Sequence, residues 1–417
     1  MGRQKIIYIS HIMPAEVGNG GVHRGYQILH QLSALVGREQ ILLFTPETLR
    51  AGGQNGHARP HGGVGRQLKE WATFRAGTLR RAARNPYRLL QRTNFVTGLH
   101  PALKAFYEEQ IKGLAGQAVC VIDHTQFSEL LPLNRKHGIP TISCTQNFDA
   151  LAENFEALTT SLHVFGGGQT PRQQVGVYAA LTDFANELQF LAQCDERLFI
   201  SKLETGVTGS LGLRCHYHPY VPVGALRAQA ERIRQRRETS ARAAGLFLFV
   251  GTAAYGPIGK SCEWLIENVR QHGLPQGVRL VGVGAGTERL LPAGEVVPGL
   301  ELKGWVEQAE LDELLVQARA VLVPQQFGFG ALTRLPELSC AGIPVIGCQH
   351  PSWAIDPPPG FEMLEAAWPA WAARIEQLSR AEQRVFADDY DAWAAAQPQP
   401  LAHVISRLLD EPARAAH

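Results

Sequence analysis

Short apolar runs alternate along the chain with longer stretches whose apolar positions return every three or four residues, the two periods of a strand and of an amphipathic helix. The runs predict β-strands at Lys5–Ser10, Gln40–Thr45, Ala118–Asp123, Thr141–Gln146 and Glu196–Ser201 in the first half. In the second half they predict strands at Leu246–Gly251, Val278–Gly282, Leu300–Lys303, Ala320–Pro324 and Pro344–Gly347. Strand followed by helix, repeated, predicts an α/β fold with helices over parallel sheets. Between the halves, Ala225–Ala244 is polar and Arg-rich, lacks a stripe of large aliphatic residues, and reads as a connector. The segments His137–Cys144 (HGIPTISC) and Ala341–Cys348 (AGIPVIGC) echo one another: a Gly can end a helix, a Pro fixes the exit, and an apolar strand follows. The echo fits two Rossmann-like domains facing each other across a cleft. The expected boundaries are 1–226, with an insertion at about 51–100, then 227–380, then a tail at 381–417 of two helices broken by Pro398 and Pro400.

With 417 residues, 45% hydrophobic and 19% charged, the chain has a folded composition and room for two or three domains. A net charge of +2 carries no overall nucleic-acid signature, and no nucleic-acid partner is expected. One segment stands apart. Between Arg59 and Arg92 nine basic residues meet one acid, Glu70, interleaved with Trp71, Phe74, Leu79, Tyr87, Leu89 and Leu90. Two readings stay open for it: a solvated helix on an insertion, preceded by a loop rich in Gly from Gly52 to Gly65, or a surface that lies on an anionic bilayer or grips a charged acceptor. The seven cysteines lack CxxC spacing and read as reduced, packed thiols. The first apolar run stops at Ser10, His11 and Pro14, too short for a signal-peptide core or a membrane span. The expected location is cytoplasmic, with peripheral contact at the inner membrane face through 59–92 as its extension.

The most informative stretch is Val321–Gly347, VLVPQQFGFGALTRLPELSCAGIPVIG. A buried strand ends at Pro324, a loop carrying Gly328 and Gly330 follows, and a helix is predicted to begin near Thr333, with Arg334 and Glu337 in its first turns. Backbone amides at a helix start together with a guanidinium suit a diphosphate, and a carboxylate one turn later suits a ribose diol. Other signals are weaker. Ala254–Ser261 (AYGPIGKS) matches a relaxed phosphate loop, but Pro257 removes one amide from the cradle and no nearby apolar strand ends in a magnesium-binding Asp. Gly282, Gly284 and Gly286 read as a tight turn, Asp389 and Asp391 as capping or solvated acids, and His216 and His218 as a strand edge. No metal site is expected.

Gly328, Gly330, Arg334, Glu337, Gly342, Pro344 and Val345 stand in an order and spacing that resemble the donor motif of GT-B glycosyltransferases, specifically the large retaining family 4. The resemblance extends to Leu246–Val269 as the opening strand and helix of a donor domain and to Leu300–Pro324 as the strand and base-contacting turn before the motif. It also covers Gly18–Ser33 as the glycine-rich loop near the sugar and phosphates, Thr145–Phe155 as an acceptor-side segment, and Leu198–Gly212 as a strand ending in Ser. Departures are Phe329 where the family has a first acid, Thr252 where many members have Arg, Lys260 slightly late for a phosphate Lys, and Gln146 in place of a His.

The resemblance implies a nucleotide-diphosphate sugar donor, UDP- or GDP-linked, a glycan or lipid-linked acceptor, retention of configuration, no cofactor and no metal, and a C-terminal helix that crosses back to the first domain. Donor-binding candidates are Gly20, Gly21, Gly251, Thr252, Lys260, Val306, Gly328, Gly330, Thr333, Arg334 and Glu337; catalytic candidates are His124, Asn147 and Asp149. His124 follows a strand at its carboxyl end, where ligands collect in open α/β sheets, and is also readable as a cap; Asp149 is also readable as a helix N-cap. The alternatives are an inactive GT-B scaffold or regulatory subunit, and a phosphate-loop nucleoside triphosphatase using Lys260.

Overall fold

The computed structural model describes residues 4–46, 48, 101–153, 171–240, 245–253, 256–326, 328–348, 354–381 and 387–410. The basic segment 59–92 and the glycines before it lie outside the described residues.

Contacts divide the chain into two compact units, one formed by Met1–Met13, Leu32–Leu198 and Leu401–His417, the other by Pro14–Gln31 and Phe199–Pro400. The chain folds around two six-stranded sheets. In the first, β1 (Lys5–Ile9), β2 (Ile41–Phe44), β3 (Ala118–Ile122), β4 (Thr141–Ser143), β5 (Glu196–Phe199) and β6 (His216–Tyr217) run in the order β2-β1-β3-β4-β5-β6. β1 pairs in parallel with both β2 and β3, so the strand order reverses between β1 and β3.

The second sheet holds β7 (Leu246–Val250), β8 (Arg279–Val283), β9 (Leu300–Gly304), β10 (Ala320–Val323), β11 (Val345–Gly347) and β12 (Phe361–Met363), in the order β12-β11-β10-β7-β8-β9, all parallel. Its inner strands β7, β10 and β11 are apolar because both faces are covered, while the edge strands β9 and β12 carry polar, partly exposed residues. Leu246 and Leu248 join Val281, Val321 and Val345 in one core, against Ile233, Leu335, Leu338 and Tyr390. Phe247 and Phe249 point the other way and pack with Leu265, Val269, Trp368 and Trp371. Successive residues of a strand face opposite sides, so one apolar run serves two cores.

All ten expected strands are present with shifted ends, and β6 and β12 are additional. The expected connector differs more. It forms the helix Gly224–Thr239, packed within the second unit against the helices Gln308–Gln317 and Arg334–Cys340. Leu226, Ala230, Ile233 and Arg237 recur at helical spacing and are buried. Arg237 takes the place of an aliphatic residue because its guanidinium donates to the carbonyls of Leu315, Val316 and Ala318, which the neighbouring helix leaves unpaired at its C-terminus.

The two echoed segments have one local structure. After the helices Leu131–Lys136 and Arg334–Cys340, Gly138 and Gly342 sit at φ 62° and 64°. Ile139 N–H donates to Asn134 O and Ile343 N–H to Leu338 O, each at 2.9 Å, the long bond of a Schellman cap. Pro140 O and Pro344 O then accept from Cys120 and Val321, which starts β4 beside β3 and β11 beside β10.

Candidate functional site

In the second unit, the carboxyl ends of β7 and β8 close together beside Arg334. Gly251, just beyond β7, donates its N–H to Val283 O. A Cβ there would lie 2.9 Å from Ile258 Cγ2 and 3.5 Å from Arg334 Nη1, and a Cβ on Gly284 would fall 2.0 Å from Gly251 O. Both positions therefore need glycine for the strand ends to close beside the guanidinium. Among the described residues Arg334 has no hydrogen bond or ion pair. Burial lowers its pKa, against the nearby charge of Glu337, yet a guanidinium stays a cation at neutral pH. Its five N–H donors meet no acceptor among the described residues.

One turn later, Glu337 is held by two residues distant in sequence. Its Oε1 accepts from the Tyr220 hydroxyl at 2.7 Å and lies 2.8 Å from His23 Nδ1. Oε2 has no hydrogen-bond partner among the described residues. Tyr220 is buried, and burial together with Glu337 raises its pKa well above the usual phenol value, so it remains a donor. The preceding loop is pinned by Glu204, buried, whose Oε1 accepts from Gly330 N–H at 2.6 Å. Gln325 is buried in the same loop.

Gly20 opens the helix Gly20–Val36, and a Cβ on it would meet Thr333 Oγ1 at 2.7 Å, so the two candidates are in contact. Gly21 N–H donates to Asn19 Oδ1, as does Val22 N–H. Thr252 is exposed, and Val306 is half-buried against the core. Lys260, expected near phosphate, lies exposed with its ammonium 2.9 Å from Glu263 on the same helix. The structure thus brings together Gly20, Thr333, Gly251, Arg334 and Glu337. His23, Tyr220 and Glu204 are additions that no local motif announced.

In the first unit, β1 and β3 end alike, Ile9-Ser10-His11 and Ile122-Asp123-His124, and Ile9 pairs with Ile122. The imidazoles of His11 and His124 consequently stack, with centroids 4.7 Å apart and planes tilted by 32°, about the spacing of adjacent strands. Asp123 is fully buried and accepts from Ser10 Oγ at 2.5 Å, Tyr8 OH at 3.1 Å, His11 N at 2.9 Å and His11 Nδ1 at 3.2 Å. Asp149 Oδ2 accepts from Thr125 N and Oγ1 at 2.9 and 2.7 Å, with His124 Nδ1 3.2 Å away. His124 Nδ1 accepts from Gln126 N at 3.3 Å. Asn147 is half-buried, its Oδ1 buried without a hydrogen bond among the described residues. Burial opposes charge on His11, but the bond to Asp123 and the charges of Asp123 and Asp149 outweigh it and raise its pKa. Burial dominates at His124 and lowers its pKa. The repeated Ile-x-His was the signal in the sequence that marks His11 alongside His124.

No family model matches the chain, and no curated protein matches it in sequence. Solved structures do match in fold. Sucrose-phosphate synthase from Thermosynechococcus elongatus is 16% identical, with 97% of this chain and 98% of that one covered and a TM-score of 0.58. A UDP-forming α,α-trehalose-phosphate synthase from Burkholderia xenovorans is 12% identical over 99% and 100%, TM-score 0.53. HepE from Anabaena, solved with UDP and glucose, is 12% identical over 98% and 100%, TM-score 0.51. The two Rossmann-like units of this chain have the GT-B fold of such glycosyltransferases.

Proposed function

We propose that this GT-B chain transfers a sugar from a nucleoside-diphosphate donor, UDP- or GDP-linked, to a glycan or lipid-linked acceptor. Arg334 carries the reading: a guanidinium with no hydrogen bond or ion pair among the described residues, lodged at strand ends that glycines keep open, has the charge and the fork geometry for a diphosphate. Glu337, with Oε1 held by Tyr220 and His23, offers Oε2 to the hydroxyls of a ribose.

Transfer breaks the bond between the anomeric carbon and the phosphate oxygen, and the electron pair moves onto the leaving diphosphate. Arg334 stabilises that charge where it develops, the effect that usually contributes most to such a reaction, and fills the role a divalent ion would otherwise take. The resemblance of Val321–Gly347 to retaining enzymes supports retention, with the leaving phosphate accepting the acceptor's proton. His124, Asn147 and Asp149 are the acceptor-side candidates. The triphosphatase alternative finds no support at Lys260, whose ammonium is engaged by Glu263.

Thermal shift with UDP- and GDP-sugars tests the reading. At least one nucleotide sugar should raise the melting temperature of the wild type and not of Arg334→Ala or Glu337→Ala; equal behaviour of all three proteins would sink it. No described helix is long and apolar enough to cross a membrane. Contact of 59–92 with anionic membrane is part of the proposal, and co-sedimentation with phosphatidylserine vesicles, abolished on deleting that segment, is its expected signature.

A further inference from the structure

His11 and His124 stand where the first sheet reverses its strand order, at the carboxyl ends of β1 and β3, the position at which open α/β sheets bind ligands. Each imidazole uses Nδ1 toward the protein. Neither Nε2 has a partner among the described residues, and neither is sealed from solvent, the side chains being 24% and 16% exposed.

The hydrogen-bond network gives the two rings opposite polarity. A carboxylate only accepts, so His11 Nδ1 carries a proton toward Asp123, and Nε2 of the neutral ring is an acceptor. Asp149 Oδ2 is taken up by Thr125 N–H and Oγ1–H, while His124 Nδ1 accepts from Gln126 N–H; its proton lies on Nε2, a donor. A hydrogen-bond acceptor and a donor therefore lie side by side, at the 4.7 Å spacing of the stacked rings.

The charge beneath them selects among ligands. Asp123 and Asp149 are buried under the rings, and neither is paired with a Lys or Arg among the described residues. Glu187, also buried, receives the N–H groups of Asp149 and Ala150. Even with His11 charged, Asp123 and Asp149 outnumber the cations beside the rings among the described residues, and a phosphate or carboxylate would be repelled by them in a low-dielectric setting.

We propose that His11 and His124 form a subsite for two neighbouring hydroxyls of an uncharged sugar, one donating to His11 Nε2 and the other accepting from His124 Nε2. As an acceptor subsite this rests on the glycosyl-transfer reading, and it narrows the acceptor to a neutral polyol at the point of contact.

Histidine 13Cε1–1H NMR of the full chain tests it, with the two resonances assigned by their loss in His11→Gln and His124→Gln. Methyl α-glucoside at millimolar concentration should shift both signals and lower the His11 titration midpoint, since donation to Nε2 favours the neutral ring. Inorganic phosphate should leave both unmoved, and glucose 6-phosphate should act more weakly than the neutral glycoside. Phosphate shifting the pair or raising the His11 midpoint overturns the proposal, as does silence of both signals toward every probe. The wild-type titrations need no variant, and His124→Asn stands in if a Gln variant does not fold. UDP and GDP binding, followed on the same samples, keep the two ideas apart: nucleotide binding without glycoside binding removes the subsite alone, and glycoside binding without any nucleotide binding removes the glycosyl-transfer reading.

Discussion

Arg334 and His11 both stand at strand ends, but among the described residues only His11 is hydrogen-bonded to a carboxylate. If Arg334 meets a diphosphate, removing it leaves phosphate oxygens without charge-assisted donors, a loss of about 1.5–3 kcal/mol, or roughly ten- to a hundredfold in UDP affinity. Arg334→Lys should recover only part of this in calorimetric titration, because a point charge lacks the planar fork. Tyr220→Phe should weaken UDP less, since Glu337 keeps its contact with His23. The histidine pair predicts a pH signature of two signs. His11 has a raised pKa, so its contribution to stability is full below its unfolded value near 6.5 and is lost as pH rises through the folded one. His124 has a lowered pKa, so it costs stability as pH falls below 6.5. Tyr8, Asp123 and Asp149 face the pair, and Asp123, with its pKa lowered, adds stability that is lost only in acid below 3.8. Between pH 8 and pH 5, His11→Gln should lose stability relative to wild type and His124→Gln should gain it. Urea unfolding at the two pH values measures both, and shifts of the same sign would refute the assignment.

At the scale of elements, the two Schellman caps are the clearest case of one sequence pattern giving one structure twice. A Cβ on Gly138 would find only Ala115 Cβ, at 3.8 Å, so Gly138→Ala meets no clash and reports the cost of left-handed backbone alone. That cost is about 1–2 kcal/mol, with an unchanged denaturant slope; an effect near zero would contradict the cap geometry. The caps were legible because Gly and Pro act locally. The ten strands were legible because helices cover both faces of a parallel sheet, which leaves unbroken apolar runs such as AVCVI at Ala118–Ile122. β6 and β12 were not, being two and three residues long and partly exposed. The helix Gly224–Thr239 escaped because Arg237 fills a core position through carbonyls that belong to another helix, a pairing no sequence window contains. The same reason hid His23, Tyr220 and Glu204. Arg334 and Glu337 share one turn and declare themselves; their supports arrive from up to 314 residues away.

At the scale of the molecule, the compact units do not follow the chain. Pro14–Gln31 belongs with Phe199–Pro400, although the strand before it and the residues after it belong to the other unit. Gly20 against Thr333 and His23 against Glu337 join this short stretch to the donor-site helix, and buried Arg24 and Gln27 bind it to the same unit by donating to the carbonyls of His218 and Pro219. A ligand bound at Arg334 and Glu337 should then slow hydrogen exchange not only in Arg334–Cys340 and around Gly251 but also in the first turns of Gly20–Val36. A ligand held at a hundred times its dissociation constant adds about 2.7 kcal/mol against the openings that release it, which slows exchange through those openings roughly a hundredfold. With UDP, peptides spanning Gly20–Gln31 and Thr333–Cys340 should gain protection together, while those of β1 and β3 change little. His23→Ala removes the side-chain link to Glu337 and should reduce the gain at Gly20–Gln31 while leaving that at Thr333–Cys340. If UDP protects Thr333–Cys340 and leaves Gly20–Gln31 untouched in the wild type, the N-terminal stretch rests against the second unit without sharing its ligand. The glycine-rich helix start would then have no part in holding the donor.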